Sequence, residues 1–200
     1  MKYTQNPLSI KGRYRLYALE VIKGLYELGR TGWIDRGVKK PETVGEHTDE
    51  LISMAKRLFP NILGLIRMMK IHDWLEYDKK VGDRRTDKYC PIDHRYTREE
   101  KKAAEYKAME KICLKLGPYG KSIFKLWLEY EEGKTERAQI AFQLDKLQVD
   151  LKAIKYQMAG ESVVAMEFIE LNRDKITIPV LKEMLEKAEK MLQKYLTKKN

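Results

Sequence analysis

TERAQIAFQLDKLQVDLKAIKYQM, residues Thr135–Met158, carries the pattern that decides the fold. Ile140, Leu144, Leu147, Leu151, Ile154 and Met158 recur at helical spacing and form one continuous stripe. A neighbouring stripe, Phe142, Asp145, Val149 and Tyr156, sets an aspartate among apolar residues. A helix with two such stripes is enclosed by other helices, and if both are buried Asp145 is a carboxylate in the core.

Working outward, the same period recurs almost everywhere, and no stretch sustains the alternation of a half-buried strand. The pattern predicts an all-α domain with negligible β content. A first helix is expected from about Ser9 to Gly29, a second from Pro41 to Phe59, and a third, capped by Asn61, to about Leu75. Thr97 and Glu100 have capping-box spacing and open a fourth to about Leu116; a fifth runs from about Tyr119 to Glu132. After Thr135–Met158 come Ser162–Leu171 and a last helix from Pro179 to Thr197. Between the third and fourth, Glu76–Tyr96 shows no periodicity, and a loop of that length in a compact domain is usually functional.

Composition narrows the class. The chain has 200 residues, 43% hydrophobic and 35% charged, which excludes a disordered polyelectrolyte and a disulfide scaffold. Lys and Arg number 40 against 30 acidic residues, a net charge of +10 that favours an anionic partner without naming it. Cys90 and Cys113 form no CxxC pair and are expected as free thiols in a reducing compartment. With no apolar leader and no membrane-length apolar window, a cytoplasmic protein is expected.

Three amphipathic patterns carry polar residues inward. Val44, His47, Leu51, Met54 and Leu58 put His47 inside an apolar stripe, and His72 and Asp73 follow Leu65, Ile66, Met68 and Met69 at core-facing offsets. With Asp145 they make two imidazoles and two carboxylates. Burying ionised carboxylates without compensation costs several kcal/mol or more, so they must be neutralised, paired with cations or bound to a metal. Imidazole nitrogens and carboxylate oxygens together suit a divalent first-row metal.

These residues resemble the HD-domain metal-dependent phosphohydrolases, whose ligands follow an H…HD…D order, and within them the 5'-deoxynucleotidase-like subgroup. The blocks that carry the resemblance are RTGWIDRGVKKPETVGEH (Arg30–His47), HDWLEYDKKVGD (His72–Asp83) and LWLEYEEGKTERAQIAFQLDKLQ (Leu126–Gln148), supported by EYKAMEKI (Glu105–Ile112). The resemblance spans roughly residues 15 to 160, and the chain divides on this reading into an HD bundle, 1–174, and an added amphipathic C-terminal helix, 175–200. It implies that His47, His72, Asp73 and Asp145 bind a divalent metal, manganese or cobalt first, with magnesium, nickel, iron or zinc as alternatives. It implies that Glu76 orients or activates the attacking water and that Asp83 completes the site, with Asp78 a competitor for that role. Trp33 matches the tryptophan that packs against the sugar. The arginine that precedes it in the bacterial enzymes is Gly32 here, so Arg30 or Arg36 is expected to grip the phosphate, with Lys79, Lys80, Arg84 and Arg85 as further candidates. His94 matches no ligand.

The expected activity is metal-dependent removal of the 5'-phosphate from (deoxy)nucleoside monophosphates by a homodimer. Its alternative within the same site chemistry is another phosphate ester or anhydride, such as a nucleoside triphosphate, an alarmone or a nucleotide analogue. A basic nucleic-acid-binding module is a third reading, against which stands the absence of a helix-turn-helix signature or an Arg-rich stripe. The last helix carries Leu181, Met184, Leu185, Ala188, Met191, Leu192 and Tyr195 on one face, to be buried on its own bundle or in a dimer contact.

Overall fold

A computed structural model describes residues 10–78, 81–83 and 97–199. Lys79, Lys80, Arg84, Arg85, Cys90 and His94 lie outside the described residues. Among those described, the chain is helical throughout, with no strand and one isolated bridge, Gly29 to Thr43. The helices are α1 (Gly12–Glu27), α2 (Thr31–Ile34), α3 (Val44–Leu58), α4 (Leu65–Ile71), α5 (Arg98–Lys115), α6 (Gly120–Glu132), α7 (Glu136–Met158), α8 (Ala165–Asn172) and α9 (Pro179–Lys199).

α7 is the axis of the bundle and packs against α3, α4, α6, α8 and α9. Its Ile140, Leu144, Leu147 and Ile154 are buried, as is Asp145, whereas Phe142 is exposed and Val149 and Tyr156 are only half-buried. Its buried surface also carries polar residues: Gln143, Gln148, Asp150 and Lys152 are all enclosed. A buried polar group is tolerable only when paired, and each finds a partner far along the chain. Gln143 Oε1 accepts from the backbone N–H groups of Thr177 and Ile178, at 2.8 and 2.9 Å, and so anchors the start of α9. Leu181, Leu185 and Leu192 of α9 are buried as that helix packs along α7, leaving Met191 exposed.

Two helix starts differ from the sequence expectation. α3 begins at Val44, three residues after Pro41, because Thr43 and Glu46 form a capping box: Thr43 Oγ1 accepts from Glu46 N–H at 3.2 Å, and Glu46 Oε2 accepts from Thr43 N–H at 2.9 Å. The residues before it are held extended, with Arg30 N–H donating to Glu42 O and Val44 N–H to Leu28 O. α4 begins at Leu65 rather than near Asn61, its N-cap being Gly64 at φ +81°. A side chain there would be strained and would run into the Arg137 guanidinium. The capping box predicted at Thr97 and Glu100 is formed.

α4 also stops early. Its last helical residue is Ile71; Asp73 sits at φ −103°, ψ 13°, and Trp74–Tyr77 forms a single 3₁₀ turn anchored by the buried Trp74 and Leu75. The change of pitch brings the consecutive side chains His72 and Asp73 to one cavity, although successive residues of a regular helix point about 100° apart.

Candidate active site

α3 supplies His47, the end of α4 supplies His72 and Asp73, and α7 supplies Asp145. His47 and His72 are buried, at 0% and 2% exposure. Ligand atoms of His47, His72 and Asp145 lie within 4.8 Å of one another. His47 Nε2 is 3.1 Å from Asp145 Oδ1, His72 Nε2 is 3.1 Å from Asp73 Oδ2, and His47 Nε2 is 3.8 Å from the same Asp73 oxygen.

The outer nitrogens are engaged elsewhere: His47 Nδ1 with Gln148 Oε1 at 2.7 Å, and His72 Nδ1 with the Met69 carbonyl at 2.8 Å. Both partners are acceptors, so both Nδ1 atoms carry hydrogen. Both Nε2 atoms are buried without a hydrogen-bond partner among the described residues. Two imidazole lone pairs facing two carboxylate oxygens are satisfied by a proton on each ring or by one cation shared among the four groups. The donor set and the paired outer nitrogens are those of a divalent-metal site.

His72, Asp73 and Asp145 edge a cavity of about 270 Å³, which Arg30, Leu75, Glu76, Asp83, Lys101, Glu105, Tyr130, Glu131, Phe142 and Lys146 also line. Arg30 enters from the loop before α2 and donates from NH1 to Asp73 Oδ2 at 3.3 Å. Burial opposes its charge, but Asp83, Glu76, Asp73 and Asp145 outweigh it and raise the guanidinium pKa further. Asp83 Oδ2 accepts from Thr31 N–H at 2.6 Å and lies 4.0 Å from Arg30 Nε. Lys146 Nζ is 2.7 Å from Asp145 Oδ2.

The carboxylates divide into two kinds. Burial would raise Asp73, but His72, Arg30 and His47 hold it well below the usual range; Asp145 is held down likewise, by Lys146, His47 and His72. Glu76 is pushed far up, by burial and then by the Asp73 and Asp83 charges, and its Oε2 is buried without a hydrogen-bond partner among the described residues. Glu131, on the α6 wall, is raised to about 7 by burial, Glu105 and Asp73. A cavity that combines ionised ligands with proton-holding carboxyls is equipped for acid–base chemistry.

Three residues singled out in the sequence stand elsewhere. Trp33 is 2% exposed; its Nε1–H donates to Glu42 Oε1 at 3.0 Å, and its ring packs on Tyr156 and Phe168. Arg36 lies over the Phe168 ring, donates to Glu167 Oε2 at 2.6 Å from NH2, and reaches the Gly32 carbonyl. Asp78 pairs with Lys111 of α5 at 2.9 Å. None of the three lines the cavity, whereas Arg30, Glu76 and Asp83 do. Lys101, Tyr130 and Lys146 line it without having been singled out, although Lys146 directly follows Asp145.

A histidine–aspartate centre of this order on a helical bundle defines a class, and the comparisons agree with it: the chain belongs to the HD-domain family, whose HD domain model matches residues 23–195. Among curated relatives, 5'-deoxynucleotidase HDDC2 of Dictyostelium discoideum is 32% identical over 80% of this chain and 88% of its own. The protein of the same name from Mus musculus is 30% identical over 86% and 84%. Two solved structures share the fold. A predicted metal-dependent phosphohydrolase from Magnetospirillum magnetotacticum has a TM-score of 0.69 at 21% identity, covering 91% of this chain and 92% of that one. A conserved protein from Pyrococcus furiosus has a TM-score of 0.67 at 23% identity, covering 88% and 99%. Among the described residues, no helix is long and apolar enough to cross a membrane.

Proposed function

We propose that this protein is a metal-dependent phosphohydrolase that removes the 5'-phosphate from deoxynucleoside monophosphates. The observation that carries the reading is the convergence of two unpartnered His Nε2 atoms with Asp145 and Asp73 at the edge of a cavity holding Glu76 and three cationic side chains. The names of the relatives, 5'-deoxynucleotidases from Dictyostelium to mouse, support the substrate class.

In this reading His47, His72, Asp73 and Asp145 hold one divalent ion, manganese or cobalt first. Such an ion supplies Lewis acidity toward the phosphoryl oxygens and makes water a better nucleophile at neutral pH. The protein's own groups do the rest. Glu76, with Oε2 free to accept, orients the water and takes its proton; a basic carboxyl suits that task once ionised. Arg30 and Lys146 bind the phosphate oxygens, the guanidinium with bidentate geometry. Asp83, fixed by Thr31 N–H beside Arg30, assists proton transfer to the leaving 5'-oxygen. Asp78, paired with Lys111, is the weaker candidate. A cytoplasmic homodimer, with 175–200 as a helix added to the 1–174 bundle, completes the reading; light scattering measures the assembly.

The test is phosphate release from a panel of nucleoside mono-, di- and triphosphates with manganese or cobalt. Turnover confined to deoxynucleoside monophosphates and abolished by Asp73→Ala is expected. Undiminished turnover in Asp73→Ala overturns the site, and preference for triphosphates overturns the substrate.

A further inference from the structure

His47 and His72 are oriented by different means. The acceptor on His72 Nδ1 is a main-chain carbonyl, whereas the acceptor on His47 Nδ1 is the side chain of Gln148, one helical turn beyond Asp145 on α7. Gln148 is 1% exposed and uses all of its polar capacity. Its Nε2 donates to Glu42 Oε2 at 3.0 Å and to Glu50 Oε2 at 2.8 Å. Glu42, 5% exposed, accepts from the Trp33 indole N–H at 3.0 Å and from Lys152 Nζ at 2.9 Å, and Lys152 also binds Glu50.

The amide has one orientation compatible with these neighbours. Glu42 and Glu50 are paired to Lys152 as acceptors, so the NH₂ group must face them and the carbonyl must face His47. A carbonyl there requires hydrogen on Nδ1, which leaves Nε2, facing Asp145, as the nitrogen that can give its lone pair to an ion. The network runs Trp33–Glu42–Gln148–His47, and only its last member reaches the site.

We propose that Gln148 is a positioning residue for the metal centre: held by Glu42, which Trp33 and Lys152 fix, it selects the Nδ1–H tautomer of His47 and aims Nε2 at the ion. The proposal rests on the metal-site reading above. It also gives Trp33 a task different from stacking on a sugar, since its indole N–H is spent on Glu42 beneath the site. Groups that orient a metal-bound imidazole typically change metal affinity about ten- to a hundredfold when removed.

The test uses the full chain and two readouts. In the metal-free wild type, long-range proton–nitrogen NMR, with His47 assigned by its loss in His47→Gln, is expected to show hydrogen on Nδ1, with any second proton of the ring lying between Nε2 and Asp145. Manganese affinity, measured by competition with a chelator, is expected to fall about ten- to a hundredfold in Gln148→Leu, and to fall less, in the same direction, in Trp33→Phe, which keeps an aromatic ring and removes the indole N–H. A wild-type ring without hydrogen on Nδ1 overturns the proposal, and this holds even if Gln148→Leu does not fold. Equal manganese affinity in wild type and Gln148→Leu overturns it as well. If tautomer and affinities behave as expected but no nucleotide is hydrolysed, the functional reading fails and the positioning role stands.

Discussion

Asp145 and Asp150 are both buried on α7, five positions apart, and their surroundings drive them in opposite directions. Burial would raise Asp145, but Lys146, His47 and His72 outweigh it and keep the carboxylate ionised. Asp150 is fully enclosed and has Asn172 Nδ2 as a donor at 2.8 Å; burial prevails over Asn172, Lys146 and Lys175, raising it to about 7. The same side chain in the same helix is thus held ionised on the face toward α3 and α4 and held protonated further up in pH on the face toward α8. What separates them is the partner: Lys146 lies 2.7 Å from Asp145, whereas the donor to Asp150 is the neutral Asn172 amide.

The largest effect should come from erasing the first of the pair. Asp145→Ala is expected to reduce metal-dependent phosphate release by about 10³-fold or more, while Asp150→Asn leaves it within about twofold; comparable losses in both would break the contrast. The second expectation concerns stability without metal. Asp150 has a folded pKa near 7 against an ordinary value of 3.8, so the folded chain binds more protons in that interval and stability falls as pH rises through it. Asp150→Asn should remove about 2–4 kcal/mol of that loss, seen as a flatter dependence of urea midpoints between pH 4 and 8.

Much of this site is legible in the sequence, and the reason is local. His47, His72, Asp73 and Asp145 each stand on an apolar stripe, so periodicity alone turns them inward. The capping box at Thr97 is equally local. Periodicity does not show which residues face one another. Trp33 meets Phe168 from the far end of the chain, and Gln148 and Lys152 meet Glu42 and Glu50 about a hundred positions earlier. Gln148, Asp150 and Lys152 carry no local signal of burial because their compensating partners are distant in sequence. Pro41 suggested a helix start, but the extended pairing of Gly29 with Thr43 occupies those residues, and the Thr43–Glu46 box three positions on marks the true one.

Two smaller perturbations sharpen the contrast. Asn172→Leu removes the donor on Asp150 and should cost about 1–3 kcal/mol, more at pH 8 than at pH 5, by chemical denaturation. A loss independent of pH would mean that Asn172 acts by packing alone. Thr43→Ala opens the cap of the helix that carries His47 and should cost about 0.5–2 kcal/mol, with the Asp150-dependent pH profile unchanged.

Gln143 gives the fold an order in time. Its carbonyl is met by Thr177 and Ile178, two residues before Asp145 on the same helix. Because α7 is synthesised before that partner segment, the clamp two residues from Asp145 closes only after the stretch of chain leading into α9 has emerged and folded back. A nascent chain halted at α8 would hold His47, His72, Asp73 and Asp145 and still lack this latch on α7.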